Sequence, residues 1–151
     1  MKIHNSSVEM LYQFHNTLDQ IDYRITGLTA VNLYGYGIGT NVFDIAVESD
    51  EAVYKAVELL ELENPAFPGY DPYIWRHEDG DNSFYIKIQG DIMGEPFIHP
   101  LGIKLHSKEL LLDRLDIYSN HDPRVLKALA FVALTLDDEK TKKYQYYWNR
   151  L

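Results

Sequence analysis

The stretch ITGLTAVNLYGYGIGTNVFDIAVESDE, residues 25–51, decides the fold, because its hydrophobic period changes twice within a few turns of chain. A β-rich run stops at Gly27, and residues 28–34 continue with helical spacing. After a glycine-containing loop, residues 42–48 alternate like a strand, with Asp44 on the face opposite Phe43. The sequence therefore predicts a strand that enters a helix through glycine, then a second strand with one acid facing the loop.

The flanking segments carry further periodic patterns. Ser6 and Glu9 form a capping box that predicts a helix ending near Gln20. The remaining predicted elements are strands at 23–26, 73–76, 83–92 and 103–106, with helices at 50–62, 108–118, 123–136 and 138–150. Ser49, Ser107 and Asp122 stand at N-cap positions. The sum is an α+β fold, a mixed β-sheet of about five strands flanked by helices and followed by C-terminal helices.

Length and composition bound the class of protein. A chain of 151 residues fits one domain, with a sheet core over about 8–106 and a helical part over about 107–151. The absence of cysteine excludes disulfides, thiolate metal sites and a cysteine nucleophile. We expect a cytoplasmic protein without a membrane segment, since no apolar run approaches the roughly 20 residues that a spanning helix needs.

Charge is divided unevenly along the chain. The net charge is −9, yet residues 124–151 carry 6 basic against 3 acidic residues. The acidic body argues against broad contact with nucleic acid. The basic, aromatic tail at residues 140–150 instead predicts a terminal helix that packs on the core, or that contacts a protein partner or a second copy of the chain. The six histidines lack the spacing of a metal motif.

The order of helix, strand, Thr26-Gly27-Leu28, helix, loop and Asp44-Ile45-Ala46-Val47 resembles the nucleotidyltransferase fold, in particular the small AbiEii-like and minimal nucleotidyltransferase-like proteins. In that family a glycine turn contacts nucleotide phosphates, and two acids spaced by one residue bind magnesium. The resemblance covers residues 8–62 in pattern and 83–150 more loosely. It implies nucleotide-binding positions at Gly27, Leu28, Thr29 and Lys87, with Asp44 as metal ligand.

This sequence departs from the family pattern at its central feature. Residues i and i+2 of a strand point the same way, about 7 Å apart, so two carboxylates there can hold bridging ions. Here the pair is Asp44 and Ala46, and a methyl group cannot bind magnesium. Loose alignment puts Lys87 or Gln89 where the third carboxylate would lie. The metal site is therefore interpreted as degenerate.

Three hypotheses follow from these residues. The first is a binding or regulatory module that has kept the fold, such as one half of a toxin–antitoxin-type pair. The second is an active transferase that uses magnesium to move a nucleotide from NTP to a protein, RNA or small molecule, with Asp91 or Glu48 assisting Asp44. Glu48 shares the face of Asp44 but lies about 13 Å along an extended strand. The third is a protein-interaction domain without a ligand.

Overall fold

The computed structural model describes residues 5–37, 42–63, 65–67, 71–79, 82–118 and 122–135. The helices are α1 Asn5–Leu18, α2 Gly27–Leu33, α3 Asp50–Leu59, α4 Lys108–Tyr118 and α5 Pro123–Leu134. The strands are β1 Tyr23–Thr26, β2 Val42–Val47, β3 Pro65–Phe67, β4 Asp71–Asp79, β5 Asn82–Gln89, β6 Phe97–Ile98 and β7 Lys104–Leu105. Within these ranges no helix is long and apolar enough to span a bilayer.

The strands form one mixed sheet in the order β3-β4-β5-β2-β1-β7-β6. β2 lies antiparallel to β1 and parallel to β5, and β1 lies parallel to β7. The predicted α+β class and mixed sheet are confirmed. The described sheet has seven strands rather than about five, because β3 and β6 hold only three and two residues, too few to show alternation.

The sheet has helices on both faces. On one face, Phe14 of α1 meets Phe43 of β2 edge-on, with ring centroids 6.5 Å apart, and α3 contacts α1. On the other face α2, α4 and α5 contact one another. Burial of aliphatic and aromatic side chains between these layers is the main driving force for the fold. The central strands are therefore covered on both sides, and the Asp44 face of β2 lies under helices.

Three of the four predicted N-caps are confirmed, and several helix ends differ from the prediction. Ser49 accepts a hydrogen bond from the Ala52 amide at 3.2 Å, as its N-cap position predicts. Ser107 and Asp122 accept equivalent bonds at the starts of α4 and α5. α1 begins at Asn5 and ends at Leu18. Ser6 therefore lies inside the helix rather than before it, and the helix ends earlier than the predicted Gln20.

Two predicted helices end early. α3 ends at Leu59 instead of residue 62, since Glu61 takes a positive φ of 54° that a helix cannot continue. α5 ends at Leu134 instead of residue 136. The predicted helix at 138–150 lies outside the described residues.

We predict that Thr29→Val destabilises the fold by about 1–3 kcal/mol. The Thr29 side chain is buried, and its hydroxyl donates to the Val42 carbonyl at 3.0 Å and accepts from the Asp44 amide at 3.1 Å. Valine has nearly the same shape but removes both of these hydrogen bonds. Urea unfolding measures the change. Thr17→Val is the matched control, because the Thr17 hydroxyl bonds a carbonyl at an exposed site; equal losses in the two variants would contradict this role.

Candidate functional site

A row of polar side chains crosses four neighbouring strands on the face covered by α2, α4 and α5. Thr26 is in register with Asp44, and Asp44 with Lys87. His106 follows β7 directly, and its amide donates to the Ile25 carbonyl at 3.0 Å, which sets it beside Thr26. Residues in register share a face of the sheet. We call His106, Thr26, Asp44 and Lys87 the polar row.

A cavity of about 440 Å³ lies over this row. Among the described residues, those that line it are Thr26, Gly27, Leu28, Asp44, Lys87, Gln89, Asp91, Leu111, Arg114 and Val125. The sheet supplies most of the polar groups, whereas α2, α4 and α5 supply the three aliphatic side chains. The volume falls in the range of small-molecule sites, roughly 300–1,000 Å³, and a mostly apolar wall with a few convergent polar groups is typical of them.

Gly27 is required where β1 turns into α2. Its φ of +62° lies in the left-handed region, which side chains other than glycine rarely adopt. A Cβ atom at this position would lie 2.6 Å from Oδ2 of Asp44. The glycine therefore allows the turn and also leaves room for the carboxyl group beneath it.

Asp44 has an unusual protonation equilibrium. Burial raises the pKa of its carboxyl from 3.8 to about 7, and Asp91 raises it further while Lys87 opposes the shift. Near neutral pH this carboxyl group is therefore protonated in part of the molecules and ionised in the rest. Such a group can donate a hydrogen bond in one form and accept in the other.

The second acid of the cavity is held by a cation. Arg114 of α4 donates to Oδ2 of Asp91 at 2.8 Å and to the Asp91 carbonyl at 2.6 Å. Oδ1 of Asp91 is buried without a hydrogen-bond partner. One carboxylate oxygen is thus used to anchor α4 beside β5, and the other is unpaired at the edge of the site.

The position that would carry a second metal ligand holds Ala46, which is fully buried. Its register partner on β1 is Arg24, a buried cation that pairs with Asp22 and donates to the Gly94 carbonyl at 3.2 Å. β2 therefore has a basic residue in register with each of the two positions that the family resemblance would assign to metal ligands, Lys87 at Asp44 and Arg24 at Ala46. Positive charge there opposes the binding of a divalent cation.

Most of the residues singled out from the sequence meet at one place. Those that line the cavity are Gly27, Leu28, Asp44, Lys87 and Asp91. Thr29 lies below the cavity, with its hydroxyl used by two backbone groups, and Glu48 is exposed beyond the end of β2. Across the described part of the chain no group of three or more His, Cys, Asp or Glu side chains could hold a metal ion.

Three residues of the site carried no signal in the sequence. Thr26 stands in the sequence only as the end of a strand before a turn, Arg114 lies within the predicted helix at 108–118, and His106 is one of six scattered histidines. Each joins the site through tertiary packing. Only His106 could have been identified from the pairing of strands. It follows β7 directly, so the register of β7 with β1 sets it beside Thr26.

Comparison of the chain with models of known protein families, with curated proteins and with solved structures finds no match. The interpretation of the site therefore depends on its own geometry.

We predict that Gly27→Ala destabilises the protein by about 2–4 kcal/mol, from the left-handed φ and from the contact with Asp44. Two control variants separate these causes. Gly94 has a φ of +67° in open space, so Gly94→Ala measures the backbone cost alone. Gly37→Ala meets neither constraint and should change little.

Adding Asp44→Ala to Gly27→Ala should recover part of the loss, because it removes the atoms that the new methyl group meets. Urea unfolding of Gly27→Ala, Asp44→Ala, the double variant and the wild type gives the comparison. Full additivity of the two substitutions would show that the contact has no energetic consequence.

Asp44 also predicts a pH dependence. A carboxyl with a raised pKa binds its proton more tightly in the folded state. The amount that this proton adds to the free energy of unfolding is therefore complete below about pH 4 and is lost as the pH rises through about 7. Asp44→Asn removes this titration. The variant should therefore gain ~2–3 kcal/mol over wild type between pH 5 and pH 8, measured by urea unfolding. A constant difference between the two proteins would refute the shift.

Proposed function

We propose that this protein is a nucleotidyltransferase-like binding module that takes a nucleotide into the cavity without a metal ion. The observation that carries the proposal is the register of Lys87 with Asp44, which gives β5 a lysine at the position where the family resemblance expects a carboxylate. The same cavity is lined by five of the seven candidate site residues singled out from the sequence.

The charges of the site support a metal-free mode of binding. A magnesium ion at Asp44 would displace the proton that its raised pKa favours and would lie next to the Lys87 ammonium group. Magnesium also prefers several oxygen ligands, and Ala46 provides none. Lys87 instead supplies the positive charge that a phosphate needs, since lysine binds phosphate as a point charge.

The shape of the cavity supports a ligand with one polar and one apolar part. Leu28, Leu111 and Val125 form aliphatic walls against which a nucleobase can pack. The polar groups lie on the sheet, where they can meet sugar or phosphate oxygens. The cavity is open rather than filled by Leu28 or Lys87, and Tyr36 stacks on Phe131 with ring centroids 5.0 Å apart, outside the lining. This favours a ligand over a surface kept only for protein contact.

A magnesium-dependent transferase is the second candidate, and one observation favours it. Asp91 raises the pKa of Asp44, which means that the two carboxyl groups interact across the cavity. An ion between them would have to compete with Arg114 for Asp91. In that case Asp44 and Asp91 would hold the ion and polarise a phosphate oxygen.

Isothermal titration with ATP, GTP, CTP and UTP separates the two candidates. We expect at least one nucleotide to bind in EDTA with an affinity that magnesium changes by less than about 3-fold. Lys87→Gln should weaken binding about 10-fold or more, as expected for loss of a charge-assisted hydrogen bond. Lys55→Gln is the matched control, because Lys55 lines a separate surface groove along α3.

Each outcome of the titration favours a different candidate function. Binding that requires magnesium and disappears in Asp44→Ala would favour the transferase. Absence of binding by every nucleotide, with and without magnesium, would reject both and leave a protein-interaction domain.

A further inference from the structure

His106 is fully buried, and its hydrogen bonds define its tautomer. Nε2 lies 3.3 Å from the amide nitrogen of Met93, which can only donate, so Nε2 is the acceptor. Burial and the nearby guanidinium groups of Arg114 and Arg24 lower the pKa of the imidazole to about 4, so the ring is neutral at physiological pH. The single ring proton of His106 is therefore on Nδ1.

That proton determines the role of Thr26. Nδ1 of His106 lies 2.7 Å from Oγ1 of Thr26, so the imidazole donates and the hydroxyl oxygen accepts. Thr26 stands at the N-cap position of α2, where threonine usually accepts from a helix amide, but its side chain makes no capping bond. The hydroxyl therefore keeps its own proton available.

The hydroxyl group of Thr26 borders the cavity. Thr26 lines the cavity between His106 on one side and Asp44 on the other. Among the residues that the structure describes, His106 is the single hydrogen-bond partner of this hydroxyl. An oxygen of a bound molecule would complete its pairing.

We propose that Thr26 is a hydrogen-bond donor to the ligand of this cavity, and that His106 is the positioning residue that fixes its direction. The proposal rests on the proposed function and deepens it, because it assigns a specificity contact. The ligand must place an acceptor oxygen at Thr26. A ligand with an N–H group or a carbon there would leave the hydroxyl proton unpaired, which is costly in a partly buried site.

Thr26→Val tests the donor, because it keeps the shape of the side chain and removes the hydroxyl. With ATP in EDTA as the probe, we expect binding about 5- to 10-fold weaker than in wild type, and Thr26→Ser should restore it. Adenosine as a second probe identifies the source of the oxygen. A penalty with ATP alone assigns a phosphate oxygen, and a penalty with both assigns an oxygen of the nucleoside; either result supports the donor.

The test of His106 must distinguish a residue that positions the Thr26 hydroxyl from one that only stabilises the fold. The Nδ2–H group of asparagine can take the place of the imidazole Nδ1–H, so His106→Asn keeps the donor to Thr26, whereas His106→Leu removes it. Both variants lose the acceptor for the Met93 amide and should lose similar stability in urea unfolding. We expect ATP affinity to stay within about 2-fold of wild type in His106→Asn and to fall about 5-fold or more in His106→Leu.

Nitrogen NMR of the free wild-type protein provides an independent measurement. Signals of a neutral imidazole protonated on Nδ1 are expected for His106 at pH 7, and an Nε2-protonated ring would overturn the inference whether or not a ligand is known.

The two proposals fail separately. ATP bound equally by wild type and Thr26→Val would overturn this inference and leave the proposed function intact. Equal loss of affinity in His106→Asn and His106→Leu would reduce His106 to a structural residue and overturn its positioning role. Wild-type protein that binds no nucleotide would overturn the proposed function, and with it the donor role of Thr26.

Discussion

The pairing of β2 between β1 and β5 is the constraint on which the rest of the structure depends. In this register Phe43 and Ile45 face α1 and the core, while Asp44 faces the cavity between Thr26 and Lys87. A slip of one residue would turn every side chain of β2 to the other face. The cost of burying Asp44 among the apolar side chains of the core, and of placing the two large side chains in the polar cavity, makes the register specific. One strand thus fixes the core and the site together.

The same register determines which charges meet. A carboxyl group under helices is tolerated because it can keep its proton and because Lys87 lies beside it. Arg114 bonds the carboxylate of Asp91, and the buried Arg24 has Asp22 and a carbonyl as partners. Each buried charge therefore has a compensating neighbour in the protein itself. A site balanced in this way has little need of a metal ion, in contrast to one that places several carboxylates together.

Local features could be predicted from the sequence, and features that depend on tertiary packing could not. The strand that enters α2 at Gly27 was identified because its glycine and its change of period lie within a few residues. The caps at Ser49 and Asp122 were found for the same reason. Asp44 and Lys87 were placed together through a loose alignment, since pairing between distant strands leaves no local signal. Arg114 reaches the site through its hydrogen bonds to Asp91, which follows β5, and nothing in its own helix indicates that contact.

The protonation state of Asp44 connects the site to the kind of molecule that it can hold. An ionised carboxylate would repel a phosphate group placed over the polar row, whereas the protonated acid can donate to a phosphate oxygen. A pKa near 7 makes the protonated form available at little cost, and an approaching anion favours it further. A metal ion has the opposite effect, because it binds the ionised carboxylate and favours loss of the proton. With Thr26 and Lys87 on either side of it, protonated Asp44 completes a row of three donors, and such a row suits an oxygen-rich ligand rather than a cation.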